Sequence, residues 1–462
     1  MPEVVAVVLA AGHGKRMKSR LPKVLHRVGG RYMVQHVLEA LKGAGVSESV
    51  LVVGHGAELV REALGPGYRY AVQAEQLGTG HAVLQAEPVI GEGCDTVMVV
   101  CGDTPLLSGE TLRRLLLHHR ESGAAATVLS AVFSDPTGYG RIIRNQAGEL
   151  ERIVEESDAS AEVRRIAEGN TGTYCFSREH LFAALKELSP DNAQGEYYLP
   201  DVLPVMRRRQ LKVVAAALAG EEEARGINSR QQLAEVGQIM RRRVLQRLME
   251  SGVTIVDPGT TYIDSTVEID LDTVIHPFTF IEGETRIGSD CRIGPFTRIV
   301  GSRLGNGVEV LNSVILESEL GDGCQIGPFA YLRPLTRLAA GVKVGDFVEI
   351  KKSQVGRGSK IPHLSYIGDA TLGEEVNVGA GTITCNYDGE HKHLTVVEDG
   401  AFIGSNTNLV APLRVGAHAV TGAGSTITKD VPPYALAVER SPQRNVSDWQ
   451  KKVKRGRRRE DE

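Results

Sequence analysis

The sequence predicts two domains of different construction. An α/β domain covers residues 1–228 and a parallel β-helix covers 253–438; a linker helix at 229–252 joins them and a basic tail follows at 439–462. Three observations predict this. Before residue 229, short β-branched runs alternate with helical patterns, as in an α/β domain with a mostly parallel sheet. After Gly252 an aliphatic residue returns at every sixth position, the step of a solenoid whose coil is three short strands and three corners. Between the two lies one long amphipathic stretch.

The elements follow in order. Val4–Leu9, Ser49–Val53 and Thr96–Val100 are continuous apolar runs and read as buried strands. Met33–Ala44 and Thr111–Glu121 carry helical periodicity, and Ser108 is placed to cap the second. In such sheets a ligand sits at the carboxyl ends of the strands. Over 229–250, Leu233, Val236, Met240, Val244 and Leu248 fall on one stripe. Ser229 and Gln232 form a capping box at its start, and Ser251-Gly252 ends it. The repeat then runs through Ile263, Ile269, Ile275, Ile281, Ile287, Ile293 and Ile299. It slips to Leu304, Val310 and Leu316, then to Leu320, Ile326, Leu332, Leu338, Val344 and Ile350. Val355, Ile361 and Ile367 follow, then Leu372 and Val378, and finally Val397, Ile403, Leu409 and Val415. The polar stretch Thr384–Leu394 interrupts the last turns and must bulge from the solenoid as a loop.

Composition excludes several classes. The 462 residues are 42% hydrophobic and 24% charged, as in soluble globular proteins. A formal net charge of −4 gives no reason to expect a nucleic-acid partner. No apolar run approaches the ~20 residues of a membrane span. The apolar opening Val4–Ala11 is short, follows Glu3 and lacks a basic flank, so it is not a signal peptide. Six cysteines are scattered without a CxxC pair, which fits a reducing compartment and a cytoplasmic location. The run Lys451–Arg459 is locally basic and reads as a solvated end or, less favoured, as a contact for an anionic ligand.

Leu9-Ala-Ala-Gly-His-Gly-Lys-Arg-Met17 follows the first strand directly. It is neither a Walker A loop nor GxGxxG, because the spacings fail. Gly12 and Gly14 nonetheless let backbone N–H groups approach phosphate oxygens, while Lys15, Arg16 and Lys23 supply positive charge. Asp103 follows a strand and a glycine, which places a carboxylate at the same edge; alone it reads equally as a turn former before Pro105.

LAAGxGxRM followed by Leu21-Pro-Lys23 resembles the sugar-1-phosphate nucleotidyltransferases. Gln73-Ala-Glu-Gln-Leu-Gly-Thr-Gly-His-Ala82 narrows the resemblance to the bifunctional GlmU family. Cys101-Gly102-Asp103-Thr-Pro105, Pro136-Thr-Gly-Tyr-Gly-Arg141, Ile153-Val-Glu155, Asn170-Thr-Gly172 and Asn192–Tyr198 match in order, so nearly the whole chain is covered. The resemblance implies a Rossmann-like nucleotidyltransferase domain and a left-handed β-helix, although the general crossover rule alone would give the right hand. It implies that Leu9, Ala10, Ala11, Gly12, Gln73, Gly78 and Thr79 lie along UTP. Gly140, Glu155 and Asn170 would lie along N-acetylglucosamine-1-phosphate, and Asp103 and Asn228 would hold Mg²⁺. One carboxylate and one amide oxygen suit an ion that keeps much of its water. Asn228 reads otherwise as a helix cap, a task Ser229 can do. His13 and Lys15 depart from the family, which commonly has Lys or Pro and Thr there.

Acetyl transfer to an amine needs a base titrating near neutrality, which favours histidine. His363 in Lys-Ile-Pro-His-Leu-Ser-Tyr-Ile-Gly368 matches the base of the family's acetyltransferase half. Glu349 lies fourteen residues earlier, near one coil, and is expected to orient the imidazole. Arg333 and Lys351 are eighteen apart, which stacks them on adjacent coils as a phosphate clamp whatever the family. By resemblance, Arg333, Lys351, Tyr366 and Asn377 bind glucosamine-1-phosphate. Ala380, Asn386, Tyr387, Ser405, Ala423 and Arg440 contact acetyl-CoA, with Ser405 also an oxyanion donor. A homotrimer with sites between subunits is expected, because the bulging loop needs a neighbour and related hexapeptide acyltransferases are trimers. A plain nucleotidyltransferase with an oligomerising β-helix is disfavoured by His363, Arg333, Lys351 and the segment Gly379–Gly389, and a sensor without catalysis by the joint presence of Asp103, Asn228 and His363.

Overall fold

A computed structural model describes residues 3–217 and 219–451. Of the basic run Lys451–Arg459, only Lys451 falls within them. The chain divides into two compact units, Met1–Val244 and Leu245–Glu462.

In the first unit the main sheet runs Val213–Ala217, Ala126–Val132, Glu168–Ser177, Cys94–Cys101, Glu3–Ala10, Glu48–Val53, Arg69–Val72. All neighbours are parallel except Glu168–Ser177, which is antiparallel to both of its partners. The apolar runs of the central strands are buried on both faces, against one core cluster on each side. The helices Met33–Gly43 and Gly109–Ser122 stand where periodicity placed them, and the Ser108 hydroxyl accepts the Thr111 N–H at 3.1 Å.

The long helix is Arg230–Glu250. Ser229 Oγ accepts the Gln232 N–H at 3.2 Å, but the reciprocal half of the expected box differs. Gln232 Oε1 takes the N–H of Asn228 at 2.7 Å, one residue earlier, and so fixes the backbone of that asparagine. The first half of the helix buries Val236, Ile239 and Met240 with Met17, Val28, Met33, Leu106 and Ile227.

Among the described residues the second unit is a parallel β-helix of three sheets with eleven, ten and nine strands. The strands are only two to four residues long, most with one aliphatic residue inside and its neighbours outside. Ladder partners step through Ile275, Ile293, Val310, Ile326, Val344, Ile361 and on to Val378, so a coil takes 16 to 18 residues and the slips are shortened corners. One expected inside position is corrected: Ile315 is buried beside Ile299, and Leu316 is half-exposed, because that coil is two residues short. The insertion is absorbed between Val378 and Ile403. Thr384 remains inside a strand, and the bulge starts at Asn386.

Candidate active sites

In the first unit two adjoining clefts open at the carboxyl ends of the parallel strands, of about 570 and 210 Å³. The larger is lined by Leu9, Ala10, Ala11, Gly12, Lys23, Gln73, Gly78, Thr79, Cys101 and Asp103, together with His13 and Lys15. The smaller shares Leu9, Thr79, Cys101 and Asp103 and adds Gly140, Glu155, Asn170 and Asn228. The expected nucleotide and sugar residues therefore meet, with Asp103 between them. Arg16 and Gly102 line neither cleft. Arg16 is exposed in the turn Lys15–Met17. Gly102 is a strut whose N–H donates to the Leu9 carbonyl at 2.9 Å.

The cleft wall is tightly specified. Gly78 has φ +112°, and a Cβ there would stand 2.6 Å from the Tyr197 carbonyl, so only glycine fits. Gln73 is buried and donates to the Gly78 carbonyl at 3.0 Å. The Thr79 hydroxyl accepts the Leu199 N–H at 2.9 Å, and Asn170 donates to the Tyr174 hydroxyl at 2.7 Å. Burial and the adjacent Asp103 push the Cys101 thiol up to about 12, so it is a neutral wall group and no nucleophile. Glu155 is raised to about 7, first by burial and then by Asp201 and Asp158, against the opposing Arg141 guanidinium.

The ammonium of Lys23 contacts Asp103 Oδ2 and lies 3.0 Å from Asn228 Oδ1. A carboxylate oxygen and an amide oxygen from residues 125 apart in sequence thus converge on one cation. Among the described residues no cluster of three or more His, Cys, Asp or Glu gathers into a metal site. A hydrated Mg²⁺ held by two protein oxygens fits this donor set; a dehydrated, all-protein cage does not.

In the second unit His363 ends the strand Lys360–His363 and is exposed. Its Nδ1 is 2.5 Å from Asp346 Oδ1, its ladder partner one coil earlier. The expected orienting residue is therefore corrected: Glu349 is not on His363 but accepts from the Arg333 guanidinium at 2.8 Å. The coil between Val344 and Ile361 has 17 residues, which carries Glu349 onto Tyr366 and Asp346 onto His363. The bond to His363 holds the Asp346 carboxyl below its ordinary range.

Tyr366 lies on the face that begins after His363, and Arg333 and Lys351 lie at its far edge on adjacent coils. The imidazole at the corner, an aromatic hydroxyl and two cations thus line one face. The Lys351 ammonium is 3.3 Å from Asp369 Oδ2, and the buried Asn386 amide donates to that same oxygen at 2.6 Å. Asn377 is not brought to this face; it points outward from the preceding one, laddered with Lys360 and Phe402. Ala380, Ser405 and Ala423 follow His363 up one corner, linked by N–H bonds from Gly381 to the His363 carbonyl, Asn406 to Ala380 and Gly424 to Ser405. Arg440 closes the column by donating to the Ala423 carbonyl at 2.7 Å. At ~4.8 Å per coil the column spans roughly 19 Å, a length for an extended ligand. Asn386 and Tyr387 stand at a different corner, after the strand Ile383–Cys385.

Sequence reasoning missed Asp346, Asp369 and Lys392. The signal for Asp346 was present, since Val344 and Ile361 give the local coil length. Lys392 lies in the inserted loop, and the Lys351 ammonium beside it lowers its pKa.

The fold and first site define a nucleotidyltransferase joined to a β-helix that carries its own separate polar site. Residues 6–251 match the model of the MobA-like NTP transferase domain. Along its length the chain is similar to proteins named Bifunctional protein GlmU. That of Heliobacterium modesticaldum is 61% identical over 441 residues, with 96% of each chain covered. That of Caldanaerobacter subterraneus subsp. tengcongensis is 53% identical over 460 residues, covering 99% of this chain and 100% of the relative. That of Brevibacillus brevis is 50% identical over 455 residues, covering 98% and 99%. The chain belongs to the GlmU family. Among the described residues no helix is long and apolar enough to cross a membrane.

Proposed function

We propose that this bifunctional enzyme divides the synthesis of UDP-N-acetylglucosamine between its two units. The β-helix acetylates glucosamine-1-phosphate from acetyl-CoA. The α/β unit then transfers a uridylyl group from UTP to N-acetylglucosamine-1-phosphate and releases pyrophosphate. The observation that carries this reading is that each unit has its own converged polar site: Asp103, Asn228 and Lys23 in one, His363 and Asp346 in the other.

In the first site the nucleophile is a phosphate oxygen already ionised at neutral pH, so no general base is needed. The work is in-line placement and charge neutralisation at the α-phosphate. Gly12 leaves open space for phosphate, and Lys15 and Lys23 line the cleft with fixed positive charge. Asp103 and Asn228 are the residues that would hold Mg²⁺, which supplies further charge neutralisation when bound.

In the second site Asp346 accepts from Nδ1–H of His363, which leaves Nε2 with a free lone pair on the exposed side. That nitrogen takes a proton from the sugar amine as the amine attacks the thioester carbonyl, and the CoA thiolate leaves. Arg333 and Lys351 hold the sugar phosphate, with Lys392 as a further cation nearby. The corner column from Ala380 to Arg440 suits the length of CoA, and Ser405 is the oxyanion donor. The assigned set is spread over two faces and two corners of a convex prism. A closed trimer supports convergence by bringing Asn377, Asn386 and Tyr387 of one copy to His363 of another.

Free CoA and pyrophosphate, followed separately with the purified protein, test the division. Asp103→Asn should lose pyrophosphate release and keep CoA release. His363→Ala should do the reverse, with a loss of about 10²–10⁴-fold. Loss of both activities in either folded variant would refute the two-site reading.

A further inference from the structure

The inserted segment after Cys385 has almost no apolar burial: Tyr387, Asp388, Gly389, Glu390, His391 and Lys392 are all exposed. A segment without a core keeps one shape only through hydrogen bonds. Here they close it into a hairpin. The His393 N–H donates to the Asn386 carbonyl at 2.8 Å, Tyr387 bridges Lys392 in antiparallel fashion, and the Asp388 N–H donates to His391 at 3.2 Å. One carboxylate organises the rest. Asp388 Oδ1 accepts the N–H groups of Glu390 and His391 at 2.8 and 2.7 Å, and Oδ2 accepts from His393 Nε2 at 2.6 Å. Asp388 therefore ties the tip of the hairpin to its returning strand.

Lys392, next to His393, stands beside the Lys351 ammonium and the Asp369 carboxylate on the body of the β-helix. Opposite it, the outgoing strand is moored by Asn386, whose amide bonds Asp369. The outgoing strand has this side-chain anchor, and the returning strand is joined to it by the backbone bond of His393 to Asn386 and, at the side-chain level, by the contact of His393 with Asp388.

We infer that the Asp388–His393 pair is a latch that fixes this hairpin, and that His393 is a positioning residue for acetyl-CoA. The inference rests on the reading that Asn386 and Tyr387 engage the acyl donor. His393 touches no substrate in this scheme; it acts by keeping Tyr387, 59% exposed on the outgoing strand, in a single place. A freed hairpin would still adopt the competent shape part of the time. The loss should then fall on apparent affinity and not on the chemical step, because the apparent dissociation constant rises as the competent fraction falls.

The test uses the full-length protein with acetyl-CoA varied and CoA release followed. His393→Phe keeps a ring but removes the donor. It should raise KM for acetyl-CoA about 10-fold, in line with loss of one charge-assisted hydrogen bond. Its kcat should stay within about threefold, and pyrophosphate release should be unchanged. His393→Gln restores an N–H donor without the ring and should recover most of the loss. If His393→Phe keeps the wild-type KM while Tyr387→Ala raises it, the hairpin is held without the latch and the inference is overturned. It is also overturned if the Phe and Gln variants lose kcat equally with KM unmoved. If Tyr387→Ala itself leaves KM unchanged, the placement of the acyl donor fails, and the latch falls with it.

Discussion

Glu155 gives a quantitative prediction because its environment opposes its charge. Burial in the cleft wall, with Asp201 and Asp158 near, raises its pKa from 4.5 to about 7. The folded state therefore holds a proton that the unfolded chain releases, and stability falls as pH rises between these values. Below pH 4.5 the carboxyl is protonated in both states and contributes nothing. Linkage over that shift gives a penalty of about 0.8 kcal/mol at pH 5 and about 3.4 kcal/mol at pH 8.5. Glu155→Gln keeps the shape and removes the charge, so its advantage over the parent should grow by about 2.5 kcal/mol between those pH values. For a unit of this size that is a relative shift in Tm of roughly 5–10 °C. The assay is thermal or urea unfolding followed by circular dichroism at 222 nm. Among the described residues the α-helices begin within the first unit, apart from the short helical stretch 449–451, so the helical signal is dominated by that unit. Ionisations common to both proteins cancel in the difference. A gap that stays constant from pH 5 to pH 8.5, or narrows, would refute the account of Glu155 as a carboxyl kept neutral by burial.

Asp346→Asn should slow CoA release, by less than His363→Ala does, and leave pyrophosphate release unchanged; equal rates of CoA release in this variant and the parent protein would remove Asp346 from the site. A fragment of residues 1–250 should release pyrophosphate by itself, whereas one ending at Asn228 should be poorly folded. The shorter cut strips Val236, Ile239 and Met240 from the core they share with Met17 and Leu106, at roughly 1.5–3 kcal/mol per buried side chain. It also removes the Gln232 cap on Asn228. Full activity and unchanged melting of the shorter fragment would contradict this. Co-assembly of His363→Ala subunits with Asn386→Ala/Tyr387→Ala subunits should restore acetyl transfer, since some interfaces then receive both intact elements; verified mixed assemblies without activity would place the whole site in one chain.

The parts of this protein that were legible in its sequence are those whose information is local. A six-residue repeat announces a β-helix because each inside position is an aliphatic residue in its own right, and a glycine-rich turn after a buried strand announces a cleft at the sheet's carboxyl edge for the same reason. Asp346 shows where legibility ends. Which residue neighbours His363 depends on the length of one coil, and a single shortened corner puts Asp346 rather than Gly345 opposite it. Glu349 lies only fourteen residues before His363, short of a full coil; the 17-residue coil delivers Asp346 instead, and Glu349 bonds Arg333. Leu316 failed in the same way, displaced by Ile315 where a coil is short. The slips that misdirect such a count are also what place unlike residues in register. A strict repeat would stack the same positions up every edge, whereas a corner that varies lets a histidine meet an aspartate. The departures from periodicity are therefore where the chemistry of a solenoid should be sought, and the longest of them, between Val378 and Ile403, carries Asn386, Tyr387, Lys392 and the Asp388–His393 latch.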